Sequence, residues 1–120
     1  MKFEIITREI ELEKDLKEYI EKKISSIERK LGDEKQDAEA EVRVGKDGSA
    51  QKGNVYFADI KIDTGKNVFE AKEIAESVKA ALDLAKDEVD KQVRRERSKF
   101  RDIVRNSSRK LKRILRGFKK

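Results

Sequence analysis

Residues 14–32 read KDLKEYIEKKISSIERKLG, and this stretch marks one helix near the start of the chain. Its apolar residues recur at spacings of three and four, the period of an α-helix with one buried face. Gly32 comes directly after the last of them and is a common helix end. The pattern predicts a helix from Lys14 to Leu31 that packs one stripe against a sheet. The stripe consists of Leu16, Ile20, Ile24, Ile27 and Leu31.

One strand is predicted on each side of this helix. Upstream, Phe3 and Ile5 alternate with polar residues, which is typical of a half-buried strand, and residues 9–13 follow as a turn. Downstream, residues 38–44 read AEAEVRV and alternate small apolar residues with charged ones. This alternation predicts an antiparallel strand with one solvated face.

Two further strands are predicted after a loop. Residues 45–54 hold three glycines among polar residues and predict a loop longer than a tight hairpin. Residues 55–62 read VYFADIKI, and their alternation slips by one near Ala58, which predicts a β-bulge. Residues 63–66 have turn chemistry, and residues 67–71 predict a short final strand.

A long helical pattern completes the domain, and its apolar face predicts the second helix of the core. The resulting element order is β-α-β-β-β-α. We therefore predict an α+β fold in which two helices pack on one face of a four-stranded sheet, in a single domain of residues 1–97. The apolar face consists of Ile74, Val78, Ala81, Leu82, Ala85, Val89 and Val93.

The remaining residues, 98–120, are predicted to form a basic tail, either helical or disordered. The apolar pattern continues to about residue 104, and residues 106–108 (Asn-Ser-Ser) then favour helix caps over helix interiors. This predicts an interruption, followed by a separate short helix over residues 109–116 that ends at Gly117.

Positive charge is concentrated at the C-terminal end of the chain. Residues 94–120 carry 13 Lys/Arg and 2 Asp/Glu, a net charge of +11, whereas residues 1–93 have a net charge of −5. Dense cations displace counterions from a polyanion, which favours an RNA or DNA partner. Two alternatives remain open: a disordered extension that only aids solubility, and an amphipathic helix at a membrane surface.

Composition argues against several other classes of protein. The 120 residues suffice for one domain, and the chain has neither Cys nor His, so the commonest zinc ligands and the commonest general base are missing. No apolar run approaches the roughly 20 residues of a membrane span, and residues 1–4 lack the apolar stretch of a secretory signal. We expect a cytoplasmic protein with no catalytic activity, cofactor, metal or small-molecule substrate.

Several ordered segments of residues 1–97 resemble one known family. They read IEL at 10–12, LKEYIEKKI at 16–24, YFADIKI at 56–62, EA at 70–71, AALD at 80–83 and DEVDKQVR at 87–94. In this order they resemble the ribosome hibernation-promoting factors, also called ribosome-associated inhibitor A or sigma-54 modulation proteins. The ordered set carries the resemblance, since no single segment is specific.

The resemblance implies a fold similar to double-stranded-RNA-binding domains and a function without catalysis. Family members bind the small ribosomal subunit in the channel for messenger RNA and the A- and P-site transfer RNAs, and so silence idle ribosomes. The implied partners are ribosomal RNA and nearby ribosomal proteins. The implied RNA contacts on the two helices are Lys22, Lys23, Arg29, Lys30, Lys79, Lys86, Lys91, Arg94, Arg95 and Arg97. The basic tail adds Arg101, Arg105, Arg109, Lys110, Lys112, Arg113 and Arg116.

Two positions depart from the family pattern. Glu13–Lys14 stands where members commonly have Thr-Pro, and residues 77–79 read Ser-Val-Lys where members commonly have Asp, an apolar residue and Tyr. The long family form has a further C-terminal domain that pairs ribosomes, and this sequence does not predict it. We therefore expect a monomer off the ribosome.

The sequence thus predicts a non-enzymatic factor that blocks the decoding channel of the ribosome by occupying it. A general module for structured RNA, acting through the basic tail, is the alternative hypothesis.

Overall fold

The computed structural model describes the backbone of residues 1–48 and 55–117, and the side chains of residues 1–48, 55–99 and 101. The elements are β1 (Lys2–Arg8), α1 (Lys14–Lys30), a 3-10 helix (Gly32–Asp37), β2 (Glu39–Lys46), β3 (Tyr56–Asp63), β4 (Val68–Ala75) and α2 (Val78–Gly117). This order confirms the predicted β-α-β-β-β-α arrangement and the α+β class. Residues 49–54 of the predicted loop lie outside the described residues.

The four strands form one sheet in the order β1-β2-β3-β4. β1 pairs with β2 in parallel, and the other two pairings are antiparallel. The helix crossover between β1 and β2 explains the parallel pairing, because a tight turn joins only antiparallel strands. The prediction of an antiparallel strand at residues 38–44 is therefore correct for its β3 side and wrong for its β1 side.

The predicted bulge in β3 is wrong. Pairing between β2 and β3 runs without a break from Glu39–Asp63 to Lys46–Tyr56. Ala58 faces the helices with alternate residues of β3, whereas Phe57 lies on the other face of the sheet. Phe57 is only 7% exposed there, and the Lys72 Nζ lies 5.2 Å from its ring centroid. An apolar residue buried on the far face therefore produced the apparent slip in alternation.

Both helices cover one face of the sheet and form the core with it. The predicted apolar stripe of α1 is buried from Ile20 to Leu31, with Leu16 half-buried at its start. Each fully buried Val, Leu or Ile contributes about 1.5–3 kcal/mol, so these stripes supply most of the favourable free energy of folding. The α2 side contributes Ala81, Leu82, Ala85, Val89 and Val93, and the sheet contributes Val42, Val44, Ala58, Ile60 and Ile62.

The 3-10 helix between α1 and β2 was not predicted. Gly32 has a φ of +62°, in the left-handed region that favours glycine, and it turns the chain at the end of α1. The Glu34 carboxylate then accepts hydrogen bonds from Thr64 Oγ1 and Asn67 Nδ2, both at 3.0 Å. These bonds attach the 3-10 helix to the β3–β4 turn.

β4 and α2 meet at a different point from the one predicted. Ile74 belongs to β4 and is exposed on the far face of the sheet, so it is not part of the helix. Ser77 sets the start of α2, since its hydroxyl accepts a hydrogen bond from the Ala80 amide at 3.1 Å. Sequence periodicity placed the boundary too early because both elements are apolar near it.

α2 is one continuous helix of 40 residues, and the predicted interruption at residues 106–108 is wrong. Asn and Ser cost only some tenths of a kcal/mol each inside a helix, and the chain contains no Pro. The helix crosses residue 97 without a break, and it ends at Gly117 as predicted. It extends well beyond α1, which accounts for the 72 Å length of the molecule.

Candidate nucleic-acid interface

Charged side chains connect α1 to α2. Lys23 Nζ lies 2.9 Å from Asp83 Oδ1, and Lys30 Nζ lies 2.9 Å from Asp90 Oδ2. Lys86, one turn before Asp90 on α2, donates to the same oxygen at 2.6 Å. Because both interhelical pairs are seven residues apart on each helix, the two helices run side by side in the same direction.

Tyr19 extends this group of contacts at its N-terminal end. Its hydroxyl donates to Asp83 Oδ1 at 2.5 Å, and Lys23 Nζ and Lys79 Nζ lie 5.0 and 5.3 Å from its ring centroid. Both cations therefore gain from the electron-rich ring face. We name the seven residues the interhelical cluster: Tyr19, Lys23, Lys30, Lys79, Asp83, Lys86 and Asp90.

The two carboxylates of the interhelical cluster are held in their charged form. Burial alone would raise the pKa of Asp90, but hydrogen bonds from Lys86 and Lys30 outweigh it and lower that pKa. Burial likewise opposes ionisation of Asp83, and hydrogen bonds from Tyr19 and Lys23 lower its pKa overall. Both carboxylates are thus anions that neutralise neighbouring lysines at neutral pH.

The structure places four predicted RNA contacts, Lys23, Lys30, Lys79 and Lys86, in this interhelical cluster. Three of them form ion pairs within the protein, so much of their charge is balanced before any partner arrives. Lys22 and Arg29 are exposed on α1, and Arg29 Nε donates to the Ser25 carbonyl at 3.4 Å.

A second group of basic side chains is exposed on α2; five of them are predicted contacts, and Lys99 is an addition that the prediction missed. Within residues 91–101, six basic side chains are exposed and Glu96 is the sole acidic residue. Four of the six surround Ser98 in a shallow depression of about 550 Å³. We name these six residues the basic surface of α2: Lys91, Arg94, Arg95, Arg97, Lys99 and Arg101.

Arg97 occupies a distinct place on this surface. A Cβ added to Gly32 would lie 2.7 Å from the Arg97 Nη2, so the guanidinium packs against the end of α1. The carbonyl groups at a helix C-terminus carry partial negative charge, which favours a cation there. Arg97 also lines a cavity of about 390 Å³ with Arg101 and Phe69.

The remaining predicted contacts lie on the C-terminal part of α2, whose backbone is helical to Gly117. Their side chains lie outside the described part of the structure. They are Arg105, Arg109, Lys110, Lys112, Arg113 and Arg116.

The sheet face away from the helices, the open face, has mixed charge. Its acidic residues are Glu4, Glu39, Glu41, Asp59, Asp63 and Glu70, and its basic residues are Lys2, Arg8, Arg43, Lys61 and Lys72. Arg43 pairs with Glu41 on the same strand. Burial raises the pKa of the Asp59 carboxyl, and the negative charge of Glu70 raises it further. The open face therefore presents less net positive charge to a polyanion than the basic surface of α2 does.

Sequence reasoning missed the acidic partners in the interhelical cluster. A signal was present: Lys23 and Lys30 are seven apart, and Asp83 and Asp90 are also seven apart. Matching seven-residue spacings on two neighbouring helices allow repeated ion pairs. The sequence alone did not show that these two faces meet.

Neither a metal site nor a membrane-spanning helix is found among the described residues. Over 1–48, 55–99 and 101, no group of His, Cys, Asp and Glu side chains could hold a metal ion. None of the described helices is apolar enough over sufficient length to cross a membrane.

Comparison with solved structures finds close matches to the fold. The Thermus thermophilus Protein Y N-terminal domain superposes with a TM-score of 0.65 at 26% identity, over 79% of this chain and 98% of that one. A ribosomal subunit interface protein from Coxiella burnetii gives a TM-score of 0.63 at 12% identity, over 82% and 99% of the two chains, and shows the shared fold. A sequence search of curated proteins finds no significant match.

Family assignment agrees with these structural matches. The family model described as "Sigma 54 modulation protein / S30EA ribosomal protein" matches residues 3–101, which cover both helices of the core, all four strands and the basic surface of α2. The resemblance inferred from the ordered sequence segments is thereby confirmed. The chain belongs to the sigma-54 modulation protein / S30EA ribosomal protein family, and so to the ribosome-associated hibernation factors.

Proposed function

We propose that this protein binds the small ribosomal subunit and silences it by occupying the sites of messenger RNA and the A- and P-site transfer RNAs. The basic surface of α2 carries the proposal: six exposed cations and one carboxylate lie along eleven residues of one helix. Such a density of accessible charge releases counterions from RNA phosphates, which drives binding. The family assignment identifies ribosomal RNA as the polyanion to test.

The distribution of charge favours an oriented encounter with RNA. Residues 1–93 have a net charge of −5, and the interhelical cluster balances several of their lysines. At physiological salt, charges separated by more than about 8 Å in water are largely screened. The acidic domain therefore repels RNA weakly once the basic surface of α2 is in contact.

The proposed mechanism is steric competition in the cytoplasm, with no chemical step. A folded domain in the decoding channel excludes messenger and transfer RNA by volume, so the protein needs affinity and shape alone. One copy would fill the channel of one subunit. The helical extension of α2 beyond residue 97 would reach neighbouring RNA or ribosomal protein.

Co-sedimentation with purified small and large subunits tests the proposal. The wild-type protein should pellet with small subunits and be displaced by messenger RNA together with initiator transfer RNA. The double variant Arg94→Gln/Arg95→Gln should bind weakly, because both side chains are exposed on the basic surface of α2. Pelleting with large subunits alone would contradict the proposal.

A matched control removes the same charge elsewhere. Lys14 and Lys17 are exposed on the first turn of α1, about 25 Å along the helix direction from Arg94. The variant Lys14→Gln/Lys17→Gln should bind small subunits nearly as well as the wild type. Equal loss in both variants would mean that net charge, and not the basic surface of α2, determines binding.

A general module for structured RNA is the second candidate function. The continuous helical backbone from Val78 to Gly117 favours it, since the basic sequence beyond residue 101 continues on the same helix. Such a module would be displaced from small subunits equally well by any duplex RNA. The ribosome-specific factor would resist duplex RNA and yield to messenger and transfer RNA.

A further inference from the structure

The two edges of the sheet differ in how their backbones are covered. At the β4 edge, the Gln92 side chain from α2 forms two hydrogen bonds with Glu70: Gln92 Nε2 donates to the Glu70 carbonyl at 2.9 Å, and the Glu70 amide donates to Gln92 Oε1 at 3.0 Å. The side-chain amide thus takes the place of a neighbouring strand. The backbone of Glu70, near the middle of the β4 edge, is therefore covered against pairing with another chain.

At the β1 edge, one backbone hydrogen bond fixes the direction of the backbone groups along the strand. The Lys2 amide donates to the Ala38 carbonyl at 3.1 Å, towards β2. Since backbone groups alternate in direction along a strand, the even-numbered residues of β1 bond to β2. The N–H and C=O groups of Phe3, Ile5 and Thr7 therefore point away from the sheet, as a template for another strand.

The side chains of β1 on the open face are self-complementary. They are Glu4, Ile6 and Arg8, in the order acidic, apolar, basic, and Ile6 is 38% exposed. In an antiparallel pair with Ile6 opposite Ile6, Glu4 of each copy lies opposite Arg8 of the other. These are non-hydrogen-bonded positions, where facing side chains come closest and opposite charges stabilise the pair.

The neighbouring registers lack this charge match, and the one centred on Thr7 places Arg8 opposite Ile6 and Glu4 opposite Ile10. A register centred on Ile5 places Lys2 opposite Arg8, and one centred on Glu4 places two carboxylates opposite each other. Like charges directly opposite on paired strands are destabilising. The register centred on Ile6 also places Ile5 opposite Thr7 on the helix-covered face, where both are half-buried.

We infer that two copies of this protein associate through antiparallel pairing of their β1 strands in the Ile6-centred register, forming one eight-stranded sheet. This replaces the expectation of a monomer off the ribosome. It stands apart from the proposed function, because it concerns the free protein and a different edge from the basic surface of α2. Symmetric strand pairing of this kind buries one shared patch from each copy.

Sedimentation equilibrium of the full chain, from micromolar to millimolar concentration, tests the inference. The wild type should show a reversible monomer–dimer equilibrium. Ile6→Lys should raise the dimer dissociation constant by about tenfold or more, a change of about 1.4 kcal/mol. The control Val68→Lys makes a comparable change on the open face of β4, where Val68 is 58% exposed, and should leave dimerisation unchanged.

A charge-swap experiment tests the register directly. Glu4→Arg alone and Arg8→Glu alone should each dimerise poorly, because each places like charges opposite one another. An equimolar mixture should form heterodimers at least as well as the wild type, since every facing pair is then attractive. Circular dichroism of each variant shows that it is folded.

Two outcomes would overturn the inference. One is a wild type that remains monomeric at the highest concentration. The other is a dimer whose register differs, shown either by an Ile6→Lys variant that dimerises as tightly as the wild type or by charge variants that associate no better mixed than alone. Failure here would leave binding to small subunits untouched, so the two proposals are separable.

Discussion

The interhelical cluster and the basic surface of α2 are both rich in lysine and arginine, yet they differ in what surrounds the cations. In the cluster, Asp83 and Asp90 hold three lysines at 2.6–2.9 Å. Along residues 91–101, six exposed cations lie on a segment whose one acidic residue is Glu96, and Asp33 and Glu34 line the cavity beside Arg97 and Arg101. Cation count alone therefore does not identify a nucleic-acid interface, because a carboxylate of the same protein can pair with the cation before any partner binds.

The largest effect is expected on the basic surface of α2. Replacing Lys91, Arg94, Arg95 and Lys99 by Gln should weaken binding to small subunits by about a hundredfold near physiological salt, and should lower the slope of log affinity against log salt by about 3–4. Fluorescence anisotropy with labelled protein at several salt concentrations measures both quantities. An unchanged slope would mean that these side chains do not contact phosphates.

The next effect should appear in the interhelical cluster as a loss of stability. Asp90 is 7% exposed and serves two lysines, so Asp90→Asn should lower the free energy of unfolding by about 2 kcal/mol. Urea denaturation measures it. Asp87→Asn makes the same change at an exposed position of α2 and should stay within about 0.5 kcal/mol of the wild type. An equal loss of stability in both variants would mean that the contacts of Asp90 with Lys30 and Lys86 do not stabilise the fold.

The same comparison predicts a pH dependence. Because the folded pKa of Asp90 and that of Asp83 are lowered, their stabilisation is complete above the unfolded pKa of about 3.9 and is lost as pH falls through the folded values. Urea midpoints measured from neutral to acidic pH should show a constant gap between wild type and Asp90→Asn above about pH 4. The gap should shrink below it, and a gap that widened in acid would have the wrong sign.

The smallest expected effect is a difference in stability between variants of two adjacent lysines, Lys22 and Lys23. Lys23 pairs with Asp83, whose side chain is 46% exposed, so solvent weakens the pair and Lys23→Ala should cost about 0.5–1 kcal/mol. Lys22 is exposed one residue earlier, and Lys22→Ala should change stability by less than about 0.5 kcal/mol. Thermal unfolding of both variants in one buffer makes the comparison, and a larger cost for Lys22 would reverse our interpretation.

Much of the fold followed from periodicity. The stripe of α1 and the alternation of β2 each predicted which residues are buried, because regular spacing decides which side chains share a face. Periodicity failed where an apolar residue lies outside the main core: buried Phe57 led to the wrong prediction of a bulge, and exposed Ile74 led to a helix start placed too early. Both residues lie on the open face of the sheet.

The candidate site was harder to predict from the sequence than the fold, because the sequence does not show which lysines are paired with carboxylates. Lys22 and Lys23 are adjacent and chemically identical, and only the packing of α1 beside α2 determines that Lys23 meets Asp83. The pairing arises from tertiary geometry, which no local pattern contains. For residues 91–101 the excess of cations is already visible in the sequence, since Glu96 is the sole acidic residue of that segment, and their contact with RNA stays a prediction.

The continuity of α2 has a consequence for how a ligand is met. Val89 and Val93 anchor the helix in the core, and the basic surface begins within the same turns, so its backbone is already ordered in the free protein. Docking of such a preformed rod loses little conformational entropy and buries little new apolar area. Calorimetry would therefore register a small heat-capacity change, the thermodynamic signature of rigid association as opposed to coupled folding.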